Sequence, residues 1–236
     1  MRNCYVGDVG DFGKFALLRA LGHYRRIGVI WYQTTESISR KKTNDGKYLD
    51  YLDRPERFQT LDRPLFNGLR LFRDKFKIEK GARSLEQLEA CRFLEGAVYF
   101  SEKVPVTREL REKWMTRILE SEILRSDLLF LDPDNGIARS QITPKHVSLE
   151  EIAKLKRLKK PIMIYHHQTR VKGGAVVEAD WLATKMRSLG CKRVQIVRLR
   201  PYSSRFYVIA DHNAQLSQRL LEFAERWRGM IEVFDR

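Results

Sequence analysis

Two carboxylates, Asp132 and Asp134, directly follow an apolar run that is typical of a buried strand. The run is Leu128-Leu129-Phe130-Leu131, and Asp132-Pro133-Asp134-Asn135-Gly136 comes immediately after it. Pro133 fixes its own φ and favours an extended conformation at Asp132, so the Asp132 carboxylate is predicted to be held at the strand tip. A rigid acceptor in that place suits a substrate amine. Turn formation alone explains the Asn-Gly pair but not two carboxylates after a strand.

A second polar segment follows another apolar run. Pro161-Ile162-Met163-Ile164-Tyr165 indicates a strand, and His166-His167-Gln168-Thr169-Arg170 comes after it. Adjacent residues on a strand point to opposite faces, so the pattern favours one core histidine and one solvent-facing histidine over a shared metal. Beyond the strand end, one histidine and Arg170 are placed to contact a phosphate.

The N-terminal segment Gly7-Asp8-Val9-Gly10-Asp11-Phe12-Gly13-Lys14 is rich in glycine. Asp11 is predicted to cap a helix over about residues 12–24. The glycine backbone and Lys14 allow a ligand to approach closely. The segment is not a P-loop, because the glycine spacing differs and neither serine nor threonine follows Lys14. A simple capped turn explains the glycines equally well.

Short apolar strands alternate with amphipathic helices, which predicts an α/β fold with a doubly wound, mostly parallel sheet. Strands are predicted at about residues 29–32, 97–100, 128–131, 161–165, 194–199, 206–210 and 231–234. The short connection after residue 199 predicts that the chain closes with an antiparallel hairpin. Because ligands bind beyond the carboxyl ends of parallel strands, the polar segments after three of the strands are predicted to line one crevice.

Capping residues locate several helices. Ser148 opens a capping box, Asn213 is predicted to cap the last helix, and a helix over about residues 176–189 ends at Gly190. Thr107 is predicted to cap a helix whose inner face carries Leu110, Trp114, Ile118 and Leu119. The polar stretch 34–47 ends in the turn sequence Asn44-Asp45-Gly46-Lys47 and is predicted to be a mobile loop.

The composition of the 236 residues, 43% hydrophobic, predicts a single domain over 1–236 with a basic helical insertion at about 48–95. No apolar run is long enough to cross a bilayer, and the first residues do not resemble a secretory signal. The three cysteines are scattered, which favours free thiols in a reducing cytoplasm. The sequence does not determine the oligomeric state.

The net charge of +15 indicates a polyanionic partner, with nucleic acid, RNA or DNA, as the first expectation. The excess lies in clusters at residues 40–42, 70–80 and 154–160, with aromatic residues nearby. A basic surface that is merely solvated is the alternative.

Together these segments resemble class I S-adenosylmethionine-dependent methyltransferases, specifically the adenine-N6 type that acts on large-subunit ribosomal RNA. In those enzymes a segment with an Asp and a Lys entering a helix contacts the cofactor, and residues 10–18 look similar. An Asp-Pro-Pro-aromatic loop follows their fourth strand, and Asp132-Pro133-Asp134-Asn135 matches it in part. Their Rossmann-like sheet also ends in an antiparallel hairpin. The sequence is also similar to an uncharacterised family of bacterial and phage proteins.

The resemblance implies methylation of a nucleic-acid base, most readily in RNA, with S-adenosylmethionine as cofactor. The catalytic residues it implies are Asp132, Pro133, Asp134 and Asn135. The cofactor would be bound by Gly10, Asp11, Lys14 and Glu36. The residues assigned to the substrate are Asn44, Asp45, Lys47, His166, His167 and Arg170. No metal ion is part of this site.

Two alternatives remain open. A nuclease dependent on Mg²⁺ would draw its oxygen ligands from Asp8, Asp11, Asp132 and Asp134, together with His166 or His167. A non-catalytic nucleic-acid-binding module on a degenerate methyltransferase fold would explain why Gln33-Thr34-Thr35-Glu36, after the first strand, contains no glycine.

Overall fold

The computed structural model describes residue 3 and residues 6–22, 26–34, 48–79 and 83–236. The helices are α1 (Val9–Gly22), α2 (Pro55–Phe58), α3 (Arg63–Glu79), α4 (Leu85–Ala90), α5 (Arg108–Glu120), α6 (Leu149–Lys156), α7 (Gly174–Ser188) and α8 (Ala214–Arg226). The strands are β1 (Ile27–Trp31), β2 (Val98–Phe100), β3 (Leu128–Asp132), β4 (Gly136–Ile137), β5 (His146–Val147), β6 (Ile162–His167), β7 (Val194–Leu199), β8 (Arg205–Ala210) and β9 (Ile231–Asp235).

The large sheet has seven strands in the order β2-β1-β3-β6-β8-β7-β9. β2, β1, β3 and β6 are parallel, and β8 is antiparallel to both of its neighbours. The predicted α/β architecture, a mostly parallel sheet that ends in an antiparallel hairpin, is therefore confirmed. β9 joins the edge of the sheet antiparallel to β7. The second hairpin strand, β8, lies between β6 and β7.

Helices cover both faces of the sheet, which is why its central strands are apolar on both sides. Every residue of β1 and β3 is buried. On one face, Val29, Phe130 and Met163 pack with α1, α3 and α8. On the other face, Ile30 and its neighbours in register pack with α5, α6 and α7. None of the helices in the described part of the chain is long and apolar enough to cross a membrane.

The start of α1 differs from the prediction. The helix begins at Val9, and Asp8 Oδ1 accepts the amide hydrogen of Asp11 at 3.0 Å. Asp8 is therefore the capping residue, because it stands three positions before the amide that it accepts. Asp11 lies inside the first turn, and its Oδ2 accepts the amide hydrogen of Gly7 at 2.8 Å. The carboxylate of Asp11 is thus turned toward the interior.

The inner face of α5 also differs in part. Trp114 and Ile118 are buried as predicted, but Leu110 is 51% exposed. The buried stripe begins instead with Arg111, which contacts Glu151 at 2.6 Å. Thr107 precedes α5 without a capping hydrogen bond from its side chain. The capping box at Ser148 and the Asn213 cap are both confirmed.

Three helices, α2, α3 and α4, lie in the predicted insertion at 48–95, where they pack against the same core as α1. The basic helix α3 does not present all of its cations to solvent. Arg73 is buried and pairs with Asp53 at 2.7 Å and with Asp74 at 2.8 Å. Arg70 and Lys75 are exposed. The cluster at 70–80 therefore offers fewer surface cations than its sequence suggests.

Candidate active site

At the carboxyl end of β3, Lys14 lies between two carboxylates. Its Nζ is 2.8 Å from Asp11 Oδ1 and 2.8 Å from Asp132 Oδ2. Asp11 is 1% exposed, and Lys14 and Asp132 are each 3% exposed. Nζ also lies 5.2 Å from the ring centroid of Trp31, the register neighbour of Asp132 on β1. Two segments 118 residues apart thus meet in one buried cluster.

Electrostatics keeps Lys14 charged. Burial alone would lower the pKa of its ammonium, but the carboxylates of Asp11 and Asp132 outweigh burial and hold the pKa well above its usual range. Burial raises the pKa of Asp132, although Lys14 acts in the opposite direction. Lys14 contacts only one of the two carboxylate oxygens of Asp132. The pair therefore orients the carboxylate without engaging Oδ1.

The segment that follows β3 is held by backbone contacts on both sides. Pro133 is buried, Asp134 is half-buried and Asn135 is exposed. The Asn135 amide donates to Lys145 O at 2.9 Å, and Asn135 O accepts the amide hydrogen of His167 at 3.3 Å. These contacts tie the loop to the residue before β5 and to the last residue of β6.

Gly136 closes this loop with φ of +98°, a conformation that favours glycine. A Cβ at this position would overlap the His166 side chain and backbone. The glycine of the motif is therefore required both by its backbone conformation and by the close approach of β6.

His166 is a core residue, and the adjacent His167 is exposed, as the alternation along a strand predicts. His166 Nδ1 accepts the amide hydrogen of Ile137 at 3.0 Å, which leaves the ring proton on Nε2. Nε2 lies 3.2 Å from Glu178 Oε1 on α7. The ring thus links the loop after β3 to a helix on the opposite face of the sheet from Lys14.

Glu178 is the centre of this second cluster and is 0% exposed. It accepts hydrogen bonds from the Thr169 amide at 2.9 Å and from the Thr169 hydroxyl at 2.5 Å, and Arg139 approaches it at 3.2 Å. Burial would raise the pKa of Glu178, but hydrogen bonds from His166 and Thr169 outweigh it and lower the pKa to about 2. Burial lowers the pKa of His166. Glu178 is therefore ionised beside a neutral imidazole.

The structure places the predicted site residues in several different parts of the fold. Gly10, Asp11, Lys14 and Asp132 lie on one face of the sheet at the carboxyl end of β3. His167 and Arg170 are exposed at the end of β6. Pro133, Asp134 and Asn135 form the loop after β3, and His166 is buried on the opposite face of the sheet from Lys14. Glu36, Asn44, Asp45 and Lys47 lie outside the described residues.

Sequence reasoning missed Arg205 and Glu178. Glu178 shares its helical spacing with the buried residues Leu182 and Met186, so a charged residue on an apolar stripe was the available signal. Arg205 opens a strand whose six residues are all buried. The position of Arg205 at the start of this strand, next to a polar turn, indicates a functional residue less clearly than the helical spacing of Glu178 does.

Asp8 is expected to make the stability of the fold depend on pH. Burial raises the pKa of Asp8 from 3.8 to about 6, and the Asp11 carboxylate adds to this effect. The folded protein then binds this proton more tightly than the unfolded chain, so stability should fall as pH rises through about 4 to 6. Asp8→Asn keeps a capping oxygen and should make that fall smaller. Denaturant unfolding at several pH values, with exposed Asp127→Asn as control, measures it. An unchanged pH dependence in Asp8→Asn would contradict the assignment.

Comparisons with protein-family models and with curated proteins find no match to this sequence. Among solved structures, the chain is similar to protein LPL1258 from Legionella pneumophila str. Philadelphia 1, of family DUF519, with a TM-score of 0.52 and 10% identity. The alignment covers 98% of this chain and 97% of that chain. At this identity the likeness is one of fold alone.

In the described residues, no group of three or more His, Cys, Asp and Glu side chains is arranged to hold a metal ion. The positive charge between Asp11 and Asp132 is supplied by Lys14. What the cluster offers chemically is an oriented carboxylate acceptor at a strand tip, with a protonated amine fixed behind it. Such an acceptor suits an amine or amide hydrogen of a bound substrate.

Proposed function

We propose that this chain transfers a methyl group from S-adenosylmethionine to an amine of a nucleic-acid base. The observation that carries the proposal is the direct pairing of Lys14 with Asp132 at 2.8 Å. The resemblance to the adenine-N6 enzymes is carried by two motifs, one containing Lys14 and the other Asp132. Their meeting at one strand end is what a shared cofactor and substrate site requires.

The sheet supports the same function. The resemblance implies a sheet that ends in an antiparallel hairpin, and β8 is antiparallel to both β6 and β7. Because β8 runs against β6, its first residue lies at the edge where the parallel strands end. The motifs and the hairpin therefore border the same edge.

The residues present fit the charges of the methyl donor, which include a sulfonium and an ammonium group. Three carboxylates, Asp8, Asp11 and Asp132, are buried here, against the cations Lys14 and Arg205. The excess of carboxylates favours the ammonium and sulfonium groups of the donor, and Arg205 is a cation for its carboxylate end. Arg205 fills the space beside Gly10, where a Cβ would overlap its guanidinium and lie 2.8 Å from Asp8 Oδ1.

When bound, the cofactor supplies an electrophilic methyl group. Asp132 would accept a hydrogen bond from the target amine through the carboxylate oxygen that Lys14 does not contact, and the Pro133 carbonyl would accept a second. Lys14 holds the orientation of Asp132. Asn135, exposed beside the strand tip, would face the base. Strong base catalysis would not be needed, because the amine would take the methyl group as the sulfonium C–S bond breaks and would then lose its proton to solvent.

Isothermal titration tests the proposal directly. Wild-type protein is titrated separately with S-adenosylmethionine, S-adenosylhomocysteine and Mg²⁺, and methyl transfer to RNA and DNA is then measured with labelled cofactor. Binding of both nucleosides with methyl incorporation is expected. Mg²⁺ binding without nucleoside binding would favour the nuclease. Nucleic-acid binding with neither ligand would favour a non-catalytic module.

Nucleic-acid binding should weaken steeply with salt, because each phosphate contact releases counterions. Because Arg73 is buried, the informative change reverses only the exposed residues Arg70 and Lys75. If both contact phosphates, the slope of log K against log salt should fall by about 1.8 for duplex DNA, or ~0.9 per contact.

The matched control for this change reverses Arg108 and Lys113 on α5, which alters the net charge equally. Both are exposed and pair with glutamates on their own helix. α5 covers the opposite face of the sheet from α3. Equal slope changes in the two double variants would show that binding follows net charge and would remove α3 as the contact surface.

A further inference from the structure

We infer that Arg205 binds an oxyanion, a carboxylate or a phosphate, beside the first turn of α1. Arg205 is 4% exposed. Its Nε and Nη1 are buried, and neither donates a hydrogen bond to any residue in the described part of the chain. Guanidinium carries five donors in a fixed fork that matches carboxylate and phosphate oxygens.

A buried guanidinium without hydrogen-bond acceptors destabilises the fold, because a buried charge needs both a counter-charge and acceptors. Burial would lower the pKa of Arg205, but Tyr165 and the carboxylates of Asp8 and Asp11 outweigh burial and raise it. Neither carboxylate accepts a hydrogen bond from Nε or Nη1. Asp8 Oδ1 and Asp11 Oδ2 instead accept backbone amides of α1 and its preceding turn. Nε and Nη1 of Arg205 therefore have charge neighbours but no hydrogen-bond acceptor in the described part of the chain.

The surroundings of Arg205 point to a small anionic group. Arg205 stands opposite His167 in the β6–β8 register, so it lies at the carboxyl edge of the sheet and on the face that carries α1. Its Nη1 lies against Gly10, the second residue of α1, where a Cβ would overlap it. The N-terminal end of a 14-residue helix adds partial positive charge. His167, the register partner of Arg205 on β6, is exposed.

Two sources supply this chemistry under the proposed function. One is the carboxylate of the amino-acid end of the methyl donor, and the other is a phosphodiester of the nucleic acid. The choice between the sources rests on the proposed function, whereas the oxyanion site itself does not. Inorganic phosphate tests the oxyanion site in the absence of both the methyl donor and nucleic acid.

The experiment compares wild type, Arg205→Met, Arg205→Lys and the control Arg200→Met. Arg200 is exposed, follows β7 and carries the same charge, so its loss changes net charge equally. Titrations use inorganic phosphate, S-adenosylhomocysteine, 5′-methylthioadenosine, which lacks the amino-acid end, and a short single-stranded RNA. Losing a hydrogen bond to a charged group should weaken binding about 10- to 100-fold in Arg205→Met. Arg205→Lys should weaken it less, and Arg200→Met should not.

The four ligands separate the sources. Weaker S-adenosylhomocysteine binding with unchanged methylthioadenosine binding assigns the carboxylate. Weaker RNA binding with unchanged S-adenosylhomocysteine binding assigns the phosphodiester. If wild type binds phosphate through Arg205 but no nucleoside, the oxyanion site stands and the proposed function fails. If no probe binds wild type, or if Arg205→Met and Arg200→Met bind all probes alike, the inference is overturned.

Discussion

Asp132→Asn is expected to reduce methyl transfer about 10²- to 10³-fold, the scale of losing one positioned polar group in a catalytic site. The substitution preserves size and an oxygen acceptor for Lys14. It replaces the charged acceptor of the target amine with a weaker neutral one. The affinity for S-adenosylhomocysteine should fall much less than transfer, because Asp8 and Asp11 remain to attract its ammonium group and the proposed role of Asp132 is toward the amine. Single-turnover transfer and titration calorimetry measure the two quantities.

The control for this prediction is Asp127→Asn, which alters an exposed carboxylate just before β3. It should leave both transfer and cofactor binding unchanged. If cofactor affinity falls as much as transfer does, Asp132 contacts the cofactor and not the target amine. Mg²⁺ binding that is present in wild type and lost in Asp132→Asn, with no nucleoside binding in either, would overturn the methyltransferase proposal.

Glu178→Ala is expected to lower the free energy of unfolding by about 3 to 5 kcal/mol, the cost of removing one member of a buried charged network. The change leaves Nε2 of His166 and the amide and hydroxyl of Thr169 without their shared acceptor. Arg139 loses its carboxylate as well. Glu178→Gln retains one acceptor oxygen and should cost less. Denaturant unfolding at neutral pH gives both values.

Asp180→Ala is the surface comparison, since Asp180 is exposed on the same helix and pairs with Arg236 at 2.7 Å. It should cost under about 1 kcal/mol, as exposed ion pairs do. Because the pKa of Glu178 is lowered to about 2, its charge stabilises the fold above the ordinary value of 4.5 and loses that effect as pH falls toward 2. The stability gap between wild type and Glu178→Gln should therefore shrink with acid. A gap independent of pH would contradict an ionised Glu178.

The central strands were predictable because a strand buried on both faces must be apolar throughout, as at residues 128–131. The hairpin of β7 and β8 was predictable from its short connection. Its position in the sheet was not, because local pairing does not determine which hairpin strand meets β6. That choice depends on how α7 returns the chain across the sheet.

The site was predictable only where local covalent constraints act. Pro133 identified Asp132 as a fixed acceptor, but no local pattern indicates that Lys14 is its partner. The expected burial of Leu110 and the expected exposure of Arg73 were wrong for a related reason. Hydrophobicity predicts that leucine is buried and arginine is exposed, whereas Arg111 and Arg73 are buried because Glu151 and Asp53 compensate their charges. Such pairing depends on residues distant in the sequence.

The strand order also constrains how the chain can fold during synthesis. α1 is made early, yet the ammonium on its inner side meets Asp132 only after 118 further residues have been added. β6 likewise keeps an open edge until β8, its neighbour in the sheet, has been synthesised after β7. An open edge of this kind invites pairing with other chains. The nascent protein therefore remains aggregation-prone until its last third has emerged, and non-local pairing of this type makes for slow folding.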